Sequence, residues 1–116
     1  MNLRGTTAVV GVAESDLGEV PGMSPLDLAG QAAVRALADA AIPKSEVDGL
    51  FTASSYYPMS GMDTAEYLGI RPSYVDGSTI GGSSFVSHLL HAAAAIGAGL
   101  CGTALIVYGS TQRSDG

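Results

Sequence analysis

The sequence has no tryptophan, one cysteine, and only five lysines and arginines among its 116 residues. A single cysteine excludes an internal disulfide and any cysteine-rich zinc site, and it suits a reducing, cytoplasmic setting. Histidines and carboxylates show no metal-ligand spacing, so no metal is expected. Five scattered cations against eleven acids give a net charge of −6, which provides neither a basic patch for nucleic acid nor attraction to an anionic membrane. A hydrophobic content of 47% excludes disorder. Repeats, low-complexity tracts and linkers are lacking too, and the length allows one domain with one core, residues 1–116.

What charge there is lies unevenly. Residues 1–76 hold ten acids and four bases and so carry the whole −6, whereas the 36 residues from Gly77 to Gln112 contain no Asp, Glu, Lys or Arg. Such a stretch has to be buried in protein, in lipid or against another chain. A spanning helix needs about 20 mostly apolar residues. Here His88, His91 and the glycines at 97, 99 and 102 interrupt the run, and no basic residues flank it to set an orientation. Gly97-Ala98-Gly99 reads as a helix stop, which leaves a soluble, deeply buried helix followed by a strand. The segment Met1 to Gly5 has no signal-peptide apolar region.

The elements alternate. Thr7 to Ala13, rich in valine without polar alternation, predicts a strand buried on both faces. Ser24-Pro25-Leu26-Asp27 predicts a helix start, with Ser24 as N-cap, Pro25 at the first position and Asp27 closing a capping box. Leu26, Gly30, Ala33, Leu37 and Ala40 recur at helical spacing, Arg35 and Asp39 share the wet side, and Pro43 ends the helix. Val47–Thr52 predicts a second strand, Asp63–Leu68 a brief helix, and Ser73–Asp76 a third extended segment. The turn from Gly77 to Gly82 leads into the uncharged helix, Ser83 to about Ala98, and Ala104–Tyr108 predicts a last buried strand. This is an α/β alternation with a mostly parallel sheet and helices on both faces. The last helix is small or apolar around most of its circumference, which requires cover on every side. A chain of this length does not supply that cover, so a second half of the protein or a partner is expected to.

The turn from Gly77 to Ser84, between a strand and a helix N-terminus, is the leading site candidate, because backbone N–H groups and the helix dipole there favour an anion or a thiolate. It has neither a Gly-Lys-Ser/Thr ending nor Gly-x-Gly-x-x-Gly spacing, so nucleotide binding does not fit, and plain tight-turn glycines remain the simpler account. Gly81-Gly82-Ser83-Ser84-Phe85 overlaps the nucleophile elbow Gly-x-Ser-x-Gly with Phe85 in place of the last glycine, which keeps a serine hydrolase with Ser83 open. Ser84 and His88, like Ser87 and His91, share a helix face by spacing alone, and both histidines read as packed, hydrogen-bonded residues. Cys101 lies at the C-terminal side of the helix, where the dipole opposes a thiolate, and reads as structural. Tyr56, Tyr57, Met59 and Met62 line either an apolar ligand channel or a loop tucked under the core.

These pieces, in this order, resemble the N-terminal half of the thiolase superfamily, in particular sterol-carrier-protein-type thiolases and their lipid-transfer-like relatives. The matching stretches are Ala8-Val-Val-Gly-Val-Ala13, Ala36-Leu-Ala-Asp-Ala-Ala-Ile42, Glu46-Val-Asp-Gly-Leu-Phe51, Val75 to Val86 and Gly99-Leu-Cys-Gly-Thr-Ala-Leu-Ile-Val-Tyr-Gly109. The resemblance implies a thiolase-like half-domain with a buried central helix, a coenzyme A thioester as substrate, and no covalently bound cofactor. It also implies a reactive cysteine at the start of that helix, acylated during turnover. Counting back from Gly99, that position falls at Gly82, and this sequence has no cysteine there.

Ser83 and Ser84 are then the candidate catalytic residues, with Gly81, Gly82 and His88 as candidate substrate contacts. The Gly-Gly-Ser-Ser run resembles a subgroup that lacks the cysteine and includes aldolases cleaving steroid acyl-CoA side chains with a small OB-fold partner protein. Such cleavage needs a base and enolate stabilisation but no thiolate. The resemblance also implies a longer protein whose C-terminal half supplies further site residues, and a homodimer formed beside Ser73 to Ser78. A non-catalytic module that binds an acyl or sterol ligand is the reading from a different class.

Overall fold

The computed structural model describes residues 7–17, 21–53, 60–77 and 84–110. In chain order the elements are helix α1 (Pro25–Ala40), a 3-10 turn (Lys44–Glu46), strand β1 (Gly49–Thr52), helix α2 (Ser60–Leu68), strand β2 (Tyr74–Asp76), helix α3 (Ser84–Gly97) and strand β3 (Ala104–Val107). The three strands form one parallel sheet in the order β2-β1-β3, with Gly49 opposite both Tyr74 and Ala104. The α/β class, the parallel pairing and, from α1 onward, the element order follow the sequence expectation, with boundaries moved by one to three residues.

Helix α1 begins as its sequence dictates. Ser24 accepts from the Asp27 N–H at 3.0 Å while Asp27 accepts from the Ser24 N–H at 2.8 Å, closing the capping box, and Pro25 follows the cap. The helix stops at Ala40, ahead of Pro43, because Ala41 adopts a left-handed φ of 57° and its N–H turns back to the Ala38 carbonyl. Arg35 does not pair with Asp39, its neighbour one turn on. It bonds instead to Asp16 at 3.2 Å and to the Glu14 carbonyl at 3.0 Å, and Asp39 accepts from the Val12 N–H at 3.0 Å. These contacts lay residues 12–16 along the outer side of α1.

The sheet divides two cores because side chains alternate across it. Leu50, Leu105 and Val107 face α1 and α2, where they pack with Ala29, Ala33, Val47, Ala65, Leu68 and Ile70. Phe51 and Ile106 face the other way and meet Ala92, Ala95 and Cys101 beneath α3. Helix α3 ends as predicted: Gly99 takes a φ of +77°, and the Leu100 N–H reaches back to the Ala95 carbonyl.

Two expectations are corrected. Residues 7–13 are extended but pair with no strand among the described residues, and Val9, Val10 and Val12 are 61–71% exposed rather than buried on both faces. The valines are strand-like, but among the described residues no strand pairs with them to supply a ladder and a second apolar face. Helix α3 buries only one face, through Ser84, His88, Ala92 and Ala95, while Val86, Leu89 and Leu90 are open. The apolar circumference read from the sequence is real, but the described residues bury only one face of it.

Candidate active site

Parallel strands carry their ligands in the crevice beyond their carboxyl ends, and the candidate residues collect there. Strand β1 ends at Thr52, β2 at Asp76 and β3 at Val107, and α3 starts beside them at Ser84. The buried Thr52 hydroxyl donates to the Val107 carbonyl at 2.7 Å and ties the ends of β1 and β3 together. The Gly77 N–H folds back on the Asp76 carboxylate at 2.7 Å. Position 77 has to be glycine, because a Cβ there would lie 2.5 Å from the Thr52 carbonyl oxygen.

The first turn of α3 packs deeply. Ser84 and His88, one turn apart, are both essentially inaccessible. The His88 ring stands edge-on to Phe85 at 5.2 Å between centroids and lies 6.1 Å from Phe51, while Phe85 continues to Tyr108 at 4.9 Å. His88 therefore sits in an aromatic layer beneath the crevice as a support for the helix start. His91 is the accessible histidine of the two, with Nδ1 3.8 Å from the Asp76 carboxylate. No carboxylate lies in the first turn of α3, so its N-terminal dipole faces the crevice without an internal counter-charge.

Cys101 lies at the opposite end of α3, buried under the loop that leads into β3. Burial and the nearby Asp48 carboxylate push its thiol above the ordinary cysteine range. Asp48 itself accepts from the Gly102 N–H at 2.9 Å and the Thr103 N–H at 2.8 Å, which locks that loop. A buried, protonated thiol held away from the crevice is structural, as its place in the sequence implies.

Of the sequence candidates, Ser84 and His88 come together at the start of α3, whereas Gly81, Gly82 and Ser83, like Tyr56, Tyr57 and Met59, lie outside the described residues. Met62 is 62% exposed. Sequence reasoning missed the Thr52–Val107 tie and the approach of His91 to Asp76. The second had a signal, since Asp76 is the last charge before the uncharged run. Among the described residues no three His, Cys, Asp or Glu side chains converge on a metal position, and no helix is long and apolar enough to cross a membrane.

Comparison with solved structures gives this arrangement a context. An Ltp2-ChsH2(DUF35) aldolase superposes on 92% of the chain with a TM-score of 0.83 and 28% identity. The fold is thiolase-like. A monomeric SCP2-thiolase-like protein from Mycobacterium smegmatis matches this thiolase-like chain over 84% of its length, with a TM-score of 0.64 and 31% identity. A point variant of OleA from Xanthomonas campestris matches 79% of it, with a TM-score of 0.70 and 26% identity. The thiolase-like chain spans only 28%, 22% and 28% of those three structures respectively. No protein-family model and no curated protein matches it.

Proposed function

We propose that the chain is the N-terminal part of a thiolase-fold enzyme that cleaves or forms a carbon–carbon bond in an acyl-CoA thioester without a cysteine nucleophile. One observation carries this reading. The chain shares 28% identity and nearly its whole length with an aldolase, and has Gly82 where an acylating cysteine is expected. The single thiol, Cys101, is buried at the far end of α3 with a raised pKa, so it does not replace the missing nucleophile.

In the retro-aldol direction a base takes the proton of a β-hydroxyl group on the acyl chain. The Cα–Cβ bond then breaks to release an aldehyde or ketone, and its electron pair passes to the thioester as an enolate, which is protonated to the shorter acyl-CoA. The chain's contribution is to hold that oxyanion. The N-terminus of α3, without a carboxylate in its first turn, presents N–H groups and a positive dipole end to the crevice. Gly81, Gly82 and Ser83 are the proposed backbone and side-chain contacts, and Ser84 and His88 buttress the helix start from beneath. The base, the remaining acyl contacts and a small OB-fold partner of the DUF35 type are assigned to the rest of the protein and its assembly. A homodimer along the open edge of β2, where Val75 is exposed, belongs to the same proposal.

The test is to incubate the full-length protein, with and without its DUF35-type partner, with a β-hydroxyacyl-CoA. Release of a carbonyl product and a shortened acyl-CoA, with the protein mass unchanged, is the expected result. An acyl adduct on Ser83 or Ser84 in the intact mass refutes the non-covalent mechanism.

A further inference from the structure

Tyr108 is the first residue past β3, at the carboxyl end of the sheet, and its neighbours fix where it points. Side chains alternate along a strand, so with Val107 packed toward α1 and α2 the Tyr108 ring emerges on the α3 side. There it meets Phe85, the second residue of α3, at 4.9 Å between ring centroids. The backbone is held on either side of it. The Val107 carbonyl accepts from the Thr52 hydroxyl at 2.7 Å, and at Gly109 the chain closes on the start of α1 so tightly that a Cβ would clash with the Pro25 carbonyl oxygen and the Ala29 nitrogen. Tyr108 is nonetheless 47% exposed, and among the described residues nothing hydrogen-bonds its hydroxyl.

The other described side-chain donors around the start of α3 are committed. Thr52 donates to Val107, and Ser87 donates to the Ser84 carbonyl at 2.8 Å. Ser84 and His88 are inaccessible, and His91 turns its Nδ1 toward Asp76. No Lys or Arg occurs between Gly77 and Gln112, so a side-chain donor from this stretch has to be a hydroxyl or an imidazole. We propose that Tyr108 is a substrate contact of the crevice: its phenol donates a hydrogen bond to the thioester oxygen as that oxygen takes up negative charge in the enolate. This inference rests on the acyl-CoA reading, and it adds a side-chain donor to the backbone N–H groups assigned there. A donor fixed in advance stabilises developing charge without reorganising at the moment of reaction. Here the Thr52 tie, the close approach at Gly109 and the Phe85 ring do the fixing, so the hydroxyl needs no protein partner of its own to hold it in place.

The test mixes the full-length protein and its DUF35-type partner with acetoacetyl-CoA, whose enolate has an ultraviolet absorption band of its own. The parent is expected to raise the enolate fraction above that in buffer. Tyr108→Phe keeps the ring against Phe85 and removes only the hydroxyl, so it is expected to lose most of that gain while its affinity for free CoA and its urea midpoint hold. In cleavage of a β-hydroxyacyl-CoA its kcat is expected to fall about 10- to 100-fold, the cost of one hydrogen bond to a charged group, with KM nearly unchanged. Tyr108→Leu, which lacks the ring as well, is expected to lose the enolate gain equally. A phenylalanine variant that matches the parent in enolate fraction and kcat overturns the proposal and leaves the acyl-CoA reading in place. A variant whose CoA affinity, kcat and urea midpoint all fall together also overturns it, because Tyr108 is then a structural residue. A parent that neither enolises acetoacetyl-CoA nor cleaves the substrate overturns both readings.

Discussion

The hydroxyl of Thr52 is the sharpest place to test whether the strand ends are held by a specific bond or by packing alone. Thr52 is 3% exposed, and its Oγ1 donates to the Val107 carbonyl at 2.7 Å, across the C-terminal ends of β1 and β3. Thr52→Val keeps the shape and removes the donor, so the Val107 oxygen loses that partner in a buried setting. Leaving a buried acceptor unsatisfied costs about 1–3 kcal/mol. Thr52→Ser keeps the donor and removes one methyl group, worth about 0.8 kcal/mol. The valine variant is therefore expected to be the less stable of the two, although it is the more apolar and the better strand former. A domain with a total stability of about 5–15 kcal/mol registers either loss clearly. In urea, with a slope of about 1–3 kcal/mol per molar, the valine variant is expected to unfold at a midpoint lower by about 1 M, with the slope unchanged. A valine variant as stable as the parent, with the serine variant weaker, refutes the argument and assigns the position to packing.

Cys101 is expected to react with iodoacetamide at pH 8 much more slowly than the same thiol in urea, because burial and Asp48 raise its pKa and lower its thiolate fraction; equal rates in the two states contradict its burial. The Asp27 carboxyl is held below the usual range by the Ser24 backbone N–H first, then by Tyr67 and the Ser24 hydroxyl. A depressed folded-state pKa stabilises the protein above the unfolded value near 3.8, and that contribution disappears as pH falls through the lowered value. Asp27→Asn is accordingly expected to flatten the acid limb of the stability profile, and an unaltered limb contradicts this; Ser24→Ala should cost about 1 kcal/mol in a urea titration. Gly109→Ala places a Cβ 2.1 Å from the Pro25 carbonyl oxygen and 2.7 Å from the Ala29 nitrogen, both backbone atoms, so soluble yield is expected to collapse. Gly22→Ala meets no atom within 4 Å and bears only the strain of a φ of +82°, about 1–2 kcal/mol, so its yield should hold.

The sequence was legible where the physics is local. The capping box at Ser24, the Gly99 stop, the strand spacing and the structural character of Cys101 each depend on a few neighbouring residues, and each is found where those residues place it. What depended on distant surface was not legible. The Thr52–Val107 bond joins residues 55 apart. Arg35 passes over Asp39, one turn away, for Asp16, because the chain returns along α1 and brings the Glu14 carbonyl with it. His91 looked like a packed residue because an uncharged helix gives no hint that its partner stands at the end of β2.

The valines of residues 7–13 show the most consequential form of this limit. Their composition asks for burial on two faces, and the described residues leave Val9, Val10 and Val12 exposed beside an apolar groove. The same mismatch recurs on α3, whose apolar circumference is half open at Val86, Leu89 and Leu90. Two surfaces, one at a strand edge and one on a helix, thus call for apolar cover that the described residues do not supply. A free fold selected to stand alone would place charge on such surfaces, since exposed strand edges and broad apolar faces invite aggregation. Yet every charge between Gly77 and Gln112 is missing. The absence of charge from Gly77 to Gln112 and the edge of β3 that no described residue pairs therefore have one physical reading in common: both surfaces call for apolar cover.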